Sequence, residues 1–507
     1  MKRKKMRRAM VAIMVLAIVS ASIIVVGAQE ESSWVCWRET IAVDTVGNAQ
    51  FEASYGPFSM SDYNDLCAFY KPNPEVAIRF LRSRGAIYEF DNVETPVFDD
   101  VARSINYNYD ILGWAKIDEA YIGDIWEIEL PADAVKAAQY QNFLVFVWSD
   151  SETLTISTTI LPESATAISF DPDEHVISYV LPSVTGTGTP RIDPEIKYKE
   201  EVMSAMYKVY GIQDLEFWLA KTVVKNTGTV PIQDLKVSYK ITEYVPDWTT
   251  PETYAKVVPG QTIVDLYYPC LPSGVTELTT KRPLELLVRI QYTVGAKTYE
   301  EIVRKRFELL GINSFVWSYL GPEESTGSWY DYFDNVWGLP VFVTTNEVTL
   351  NRFAKEATSG IGACLSDEAA VRAMEACYNT ICARGIGYIT EPSGYWAGGT
   401  GSQYIQYPKD TLDRNAGTCI DLAILYCAMC GAVGLNSYLM LIPGHAFPVI
   451  ETPSGMYLYP IEMTGVPNTE FANASETGLK EYDEAYRGDY YELDLRLLWD
   501  KGVTPPW

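Results

Sequence analysis

Residues Thr411 to Thr464 read TLDRNAGTCIDLAILYCAMCGAVGLNSYLMLIPGHAFPVIETPSGMYLYPIEMT, and the reading of the whole chain turns on them. Ala416-Gly417-Thr418 interrupts the chain just before an apolar run from Cys419 to Ala432. Thr418 can cap that run and Gly431 or Gly434 can end it, which predicts a helix of about three to four turns. Leu422, Ala423, Leu425, Tyr426 and Met429 point several ways around it, the mark of a buried helix. Cys419 then falls in the first turn. The positive end of the helix dipole favours thiolate there, and thiolate is the nucleophilic form of the side chain.

A short strand is expected at Ser437–Ile442, then a break at Pro443-Gly444, then His445. The segments His445–Glu451 and Met456–Glu462 flank the turn sequence Thr452-Pro453-Ser454-Gly455. A hairpin centred between Pro453 and Ser454 sets His445 opposite Glu462, with Cβ atoms about 5 Å apart. Pro448 and Pro460 make that hairpin imperfect, because neither can donate to the ladder. In this register Glu462 orients His445, and His445 deprotonates Cys419, the nucleophile–base–orienter arrangement of acyl transfer. The chain has only 2 His, and one stands where this chemistry needs it. The bland alternative is a histidine that merely completes a Pro-Gly-His turn.

GTCIDLA, then PGHAF, then YPIEMT resembles the core of transglutaminase-like cysteine enzymes of the secreted archaeal and bacterial kind. The resemblance covers about residues 340–500. It implies a papain-like α+β fold with Cys419 as nucleophile, His445 as base and Glu462 as the acidic third member. Better-known members carry Asp at the acidic position. The aromatic residue that often follows the histidine is present as Phe447. The lead-in SQYIQYPKDTL also resembles the family's, and offers Gln403 as an oxyanion-hole side chain.

At 507 residues the chain should hold about three domains. A hydrophobic content of 48% suits packed cores and argues against disorder. The net charge of −26 argues against nucleic acid as a partner, since phosphates would be repelled. Six basic residues between Lys2 and Arg8 precede an uncharged apolar run from Ala9 to Ala28. That is a secretory signal or an uncleaved membrane anchor, and in either case residues from Gln29 onward lie outside the cytoplasm. The span suits an anchor; Val26 and Ala28 permit cleavage. Nine cysteines in an exported chain make disulfides possible, with Cys36 and Cys67 the plausible pair in the first domain. Cys427-Ala-Met-Cys430 lies inside the apolar helix, without a second ligand pair, and reads as structural thiols rather than zinc. No metal, calcium included, and no cofactor is expected.

Beyond the N-terminal 1–28 segment, residues 29–185 read as a β-rich α+β domain. A hairpin is expected at Ile41–Val43 and Ala49–Ala53, and a short helix from Asn73 to near Gly85. Further strands are expected at Gly85–Phe90, Ile125–Leu130, Phe143–Trp148, Thr153–Leu161 and Val176–Leu181. Thr185-Gly-Thr-Gly-Thr-Pro190 is a linker by composition. Residues 192–312 alternate strand patterns with the turns Asn226-Thr227-Gly228, Pro259-Gly260 and Gly295, which suggests a small β-sandwich. That pattern resembles the immunoglobulin-like accessory modules of secreted proteins. Residues 313–507 form the third domain. Helices are expected at Glu347–Ala357 and after a Ser366 cap, and Tyr395, Trp396, Tyr404 and Tyr407 either line a cleft or pack a long loop.

Two functions follow from these expectations. One is an extracytoplasmic cysteine enzyme acting on amide bonds of a protein or peptide substrate through an acyl-thioester, as peptidase, amidase or transamidase. The other is a catalytically inactive transglutaminase-like protein used for binding or adhesion at the cell surface.

Overall fold

The computed structural model describes residues 35–72, 74, 77–78, 87–120, 123–149, 153–212, 215, 217–321, 328–390 and 402–507. The apolar run at residues 9–28 lies outside them. Among the described residues no helix is long and apolar enough to cross a membrane. The chain is multidomain and rich in β-structure.

Residues 35–182 build an eight-stranded and a four-stranded sheet around one apolar core. The expected hairpin is Val35–Val43 paired with Ala49–Tyr55, and Thr153–Ile160 runs parallel to the first of these. Most of the helix expected from Asn73 lies outside the described residues, whereas Met60–Tyr70 is a helix that the sequence reading does not predict. Ser104–Leu112 is likewise an unpredicted strand. Its Asn and Asp residues obscure a clean alternation in which Ile105, Tyr107, Tyr109 and Ile111 all face the core.

All nine cysteines are free. Cys36 packs with Val145 and Ile156, while Cys67 packs against the larger core, so the expected Cys36–Cys67 pair does not meet.

A buried ion pair, Lys256 with Asp124 at 2.9 Å, joins this region to the next. In residues 192–310 a three-stranded and a five-stranded sheet share their core. Tyr239 of the larger sheet donates to Asp265 of the smaller at 2.6 Å, and Tyr254 donates to the same carboxylate at 2.8 Å. That core continues without interruption into the third region, through Phe315, Phe342 and the helices beyond. Lys208 also donates to the carbonyl of Pro505, so the C-terminal tail is held against the middle region.

The third region is built of helices packed on a four-stranded sheet. The helices are α1 (Val348–Ala357), α2 (Asp367–Arg384), α3 (Pro408–Arg414), α4 (Cys419–Ala432), α5 (Phe471–Ala485) and α6 (Leu495–Asp500). The strands are β1 (Asn436–Ile442), β2 (His445–Glu451), β3 (Leu458–Pro460) and β4 (Tyr491–Asp494), in the spatial order β3-β2-β1-β4. Helix α4 has the bounds read from the sequence, and residues Ile420 to Cys430 are all buried in it. It packs on β1 and β2 on one side and on α1, α2 and α3 on others, which is why its sequence is apolar all round.

Candidate active site

Cys419 is the first residue of α4 and is half-buried. The turn before it is held from inside by Asp421. This carboxylate accepts from the backbone N–H of Thr418 at 2.9 Å and from its hydroxyl at 3.0 Å. It also accepts from the N–H of Gln406 at 2.8 Å and from its side-chain amide at 3.0 Å. Burial pushes the Asp421 carboxyl up, against the opposing pull of those hydrogen bonds. Gly417 is required at this turn, because a Cβ there would lie 2.8 Å from the Asp421 Cβ. The first turn of α4, and the thiol it carries, are therefore braced by buried charge-assisted hydrogen bonds.

His445 is placed by a two-residue turn. Ile442 pairs with His445 across Pro443-Gly444, and Gly444 has φ +79. Proline followed by a residue at positive φ is the chemistry of a type II turn. His445 is thus the first residue of β2, and its ring stacks on Phe447 two residues along the same face, with centroids 5.8 Å apart. The ring's Nε2 lies 2.7 Å from Oε2 of Glu462. Its other nitrogen, Nδ1, is then the one left for Cys419, which is among the neighbours that push the ring up.

The contact between His445 and Glu462 is made differently from the expected hairpin. Val449 pairs with Pro460, Ile450 with Tyr459 and Glu451 with Leu458. This register differs by two residues from the one that sets His445 opposite Glu462. The reason is the position of the turn, which is Pro453–Met456 instead of Thr452–Gly455: Thr452 N–H bonds to the Tyr457 carbonyl around it, and Gly455 takes φ +70. Pairing ends at Pro460 and Ile461, and the chain then turns onto α5, where Glu462 N–H donates to the Ala474 carbonyl. Glu462 reaches His445 by the length of its side chain from outside the sheet. Its other oxygen, Oε1, accepts from the backbone N–H and hydroxyl of Thr464. Glu451, the other acid of the hairpin, is engaged at the far end by Asn436 at 2.8 Å.

A second carboxylate is present that the sequence reading does not single out. Oε2 of Glu481, on α5, lies 3.7 Å from His445 Nε2, and this oxygen is buried without a hydrogen-bond partner. A signal for it exists: Ala474, Gly478, Glu481 and Ala485 follow helical spacing, so an acid interrupts an otherwise small and apolar stripe. Gly478 lets α5 dock closely, since a Cβ there would lie 2.6 Å from the Pro460 carbonyl oxygen.

These groups shift one another. Burial pulls the His445 ring down, but the neighbouring Cys419, the hydrogen bond to Glu462, the nearby Glu481 and the charge of Glu462 outweigh it and push the ring up to about 12. Burial pushes Glu462 up, yet its hydrogen bonds and the His445 charge hold it at about 2. Burial raises Glu481, and the neighbouring Glu462 adds to the rise. The ligand atoms of His445, Glu462 and Glu481 lie within 4.8 Å of one another, so among the described residues this is the set that could hold a metal ion.

Gln403 sits on a two-residue strand, Gln403–Tyr404, paired with Ser314–Phe315. Its side-chain oxygen accepts from the Trp317 indole at 2.7 Å. Tyr407 is core, packed between Phe342 and Trp507, while Tyr404 is bonded by Arg414 at 2.7 Å. Tyr395 and Trp396 lie outside the described residues. Cys427 and Cys430 are fully buried in α4, and burial pushes both thiols well up.

Comparison with family models and with curated proteins gives no match. Among solved structures the chain is similar to a protein from Parabacteroides distasonis ATCC 8503 described as a candidate protease. The identity is 8% and the TM-score 0.19, over 84% of this chain and 66% of that one. A likeness this slight carries no argument about fold or activity.

Proposed function

We propose that residues 313–507 are a transglutaminase-like domain of papain-like type, and that the chain is an extracytoplasmic cysteine enzyme acting on amide bonds. The observation that carries this reading is the His445 ring, bonded to Glu462 through Nε2 at 2.7 Å and acted on by Cys419 from the first turn of α4. In this reading the imidazole, charged beside Glu462, carries the proton taken from the sulfur, and the sulfur attacks. The Cys419 sulfur adds to the substrate carbonyl. The C–N bond breaks, the imidazolium proton goes to the leaving amine, and an acyl-thioester remains. Water or a second amine then attacks that thioester, with His445 taking its proton, and the product is an acid or a new amide. The first backbone N–H groups of α4 and the amide of Gln403 are the groups that would stabilise the oxyanion. In this reading the two sheets of residues 192–312 are an immunoglobulin-like module that carries the domain.

Labelling with iodoacetamide at pH 6, followed by peptide mapping, tests the reading. Cys270 is exposed and serves as an internal control. An unassisted thiol is under about 1% thiolate at that pH. Cys419 should therefore label at least about ten times faster than Cys270, with Cys427 and Cys430 protected by burial. Labelling of Cys270 or Cys430 ahead of Cys419 would sink the assignment, and would fit the alternative of a catalytically silent binding protein.

We also propose that the apolar run at residues 9–28 anchors the chain in a membrane with the bulk of it outside the cytoplasm. The chain should then stay with membranes through a high-salt wash, because salt screens surface charge but does not weaken apolar insertion. Recovery of a soluble chain beginning at Gln29 would show that the segment is a cleaved signal.

A further inference from the structure

We propose that Glu481 is a second acid arm of this site, a positioning residue that takes the place of Glu462 against the His445 ring when Glu462 cannot bond it. The proposal rests on the catalytic reading above, but its main test does not.

Both carboxylates address the same nitrogen. Glu462 Oε2 is 2.7 Å from Nε2 and Glu481 Oε2 is 3.7 Å from it, so about 1 Å of side-chain movement converts the second into a hydrogen bond. Glu481 Oε2 is buried with its hydrogen-bonding capacity unused. The two arms also share one support: Glu462 is bonded through its backbone to Ala474 of α5, and Glu481 lies two turns further along that helix. The close approach at Gly478 fixes the distance between them. Other groups face the ring and its acids. Cys419 comes from α4, Thr464 from the segment after β3, and Tyr378 from α2, where its hydroxyl feels the Glu462 charge. The remaining neighbour, Phe447, is apolar.

The chain's two histidines make the test direct. Protein labelled with 13C at the histidine rings shows two Cε1–H signals, and His175→Asn identifies the one that is not His445. Asn tolerates the left-handed φ of +55 at that position. The His445 midpoint is then followed against pH in the full chain, in Glu462→Gln, in Glu481→Gln and in the double variant. Glu462→Gln should keep the ring at least one pH unit above the ordinary 6.5, because Glu481 moves in, while the double variant should fall to 6.5 or below. Glu481→Asp combined with Glu462→Gln shortens the second arm but keeps its charge, and should retain part of the shift. Equal midpoints for Glu462→Gln and the double Gln variant would overturn the proposal, and so would a Glu481→Asp, Glu462→Gln chain that retains none of the shift. Circular dichroism on each variant separates loss of fold from loss of the contact. If wild-type Cys419 proves unreactive, the catalytic reading fails while the ring titration still decides the role of Glu481.

Discussion

Replacement of Cys419 by Ala should abolish thioester formation and lower turnover of a working substrate by at least about 10⁴-fold, the scale set by removing a nucleophile that acts as one unit with its base. Folding should be spared. Cys419 is half-buried at the first position of α4, Ala is the best helix former, and the Asp421 brace beneath the turn uses Thr418 and Gln406 rather than the thiol. The melting temperature should therefore change by the equivalent of no more than about 0.5 kcal/mol. Cys419→Ser should be nearly as inactive, because an alcohol is not ionised by an imidazole that already holds its proton tightly. Intact-protein mass spectrometry with an activated acyl donor reads the covalent adduct directly. An adduct surviving on Cys419→Ala would place the nucleophile elsewhere.

Glu462→Gln keeps the size of the third residue and removes its charge, and should lower kcat/KM by about 10²-fold with the fold retained. Glu481 sets that scale: it remains at 3.7 Å from Nε2 and can supply part of the lost charge. Glu462→Asp should be milder than Gln, since it shortens the arm but keeps the charge. The same pair leaves a signature in stability. The His445 contribution is complete below the ring's ordinary 6.5 and fades as pH rises toward about 12. The Glu462 contribution is complete above the ordinary 4.5 and fades as pH falls toward about 2. The melting-temperature gap between wild type and Glu462→Gln should thus be widest between about pH 4.5 and 6.5 and narrow on both sides. A gap that does not vary with pH, or undiminished turnover, would remove Glu462 from the site.

Much of the third region was legible because its signals are local. Helix α4 is bounded by Thr418 and the glycines after it, and its apolar sequence already says that it is buried on every side. Pro443-Gly444 sets the turn that starts β2 at His445, and Ser366 caps α2, through contacts spanning a few residues. Such features depend on backbone φ/ψ preference and on side chains reaching their own backbone, which a sequence states directly.

What the tertiary structure alone decided depends on how separate pieces close on one another. The β2–β3 register is two residues from the expected one because the four-residue loop closes one residue later, at Pro453–Met456 instead of Thr452–Gly455, a choice made by closure and by the docking of β3. Glu462 still meets His445, but only because the chain leaves the sheet after Pro460 and is caught by Ala474 of α5. Glu481 joins the site from α5 itself, through a close helix approach that Gly478 permits and that no local pattern places beside His445. The separation of Cys36 from Cys67 and the core shared by residues 192–312 and 313–507 are decided in the same way. Sequence spacing fixes which side chains share a face of one element. Which faces of different elements meet is set by the packing of the whole core, a long-range free-energy balance that no single stretch of residues carries.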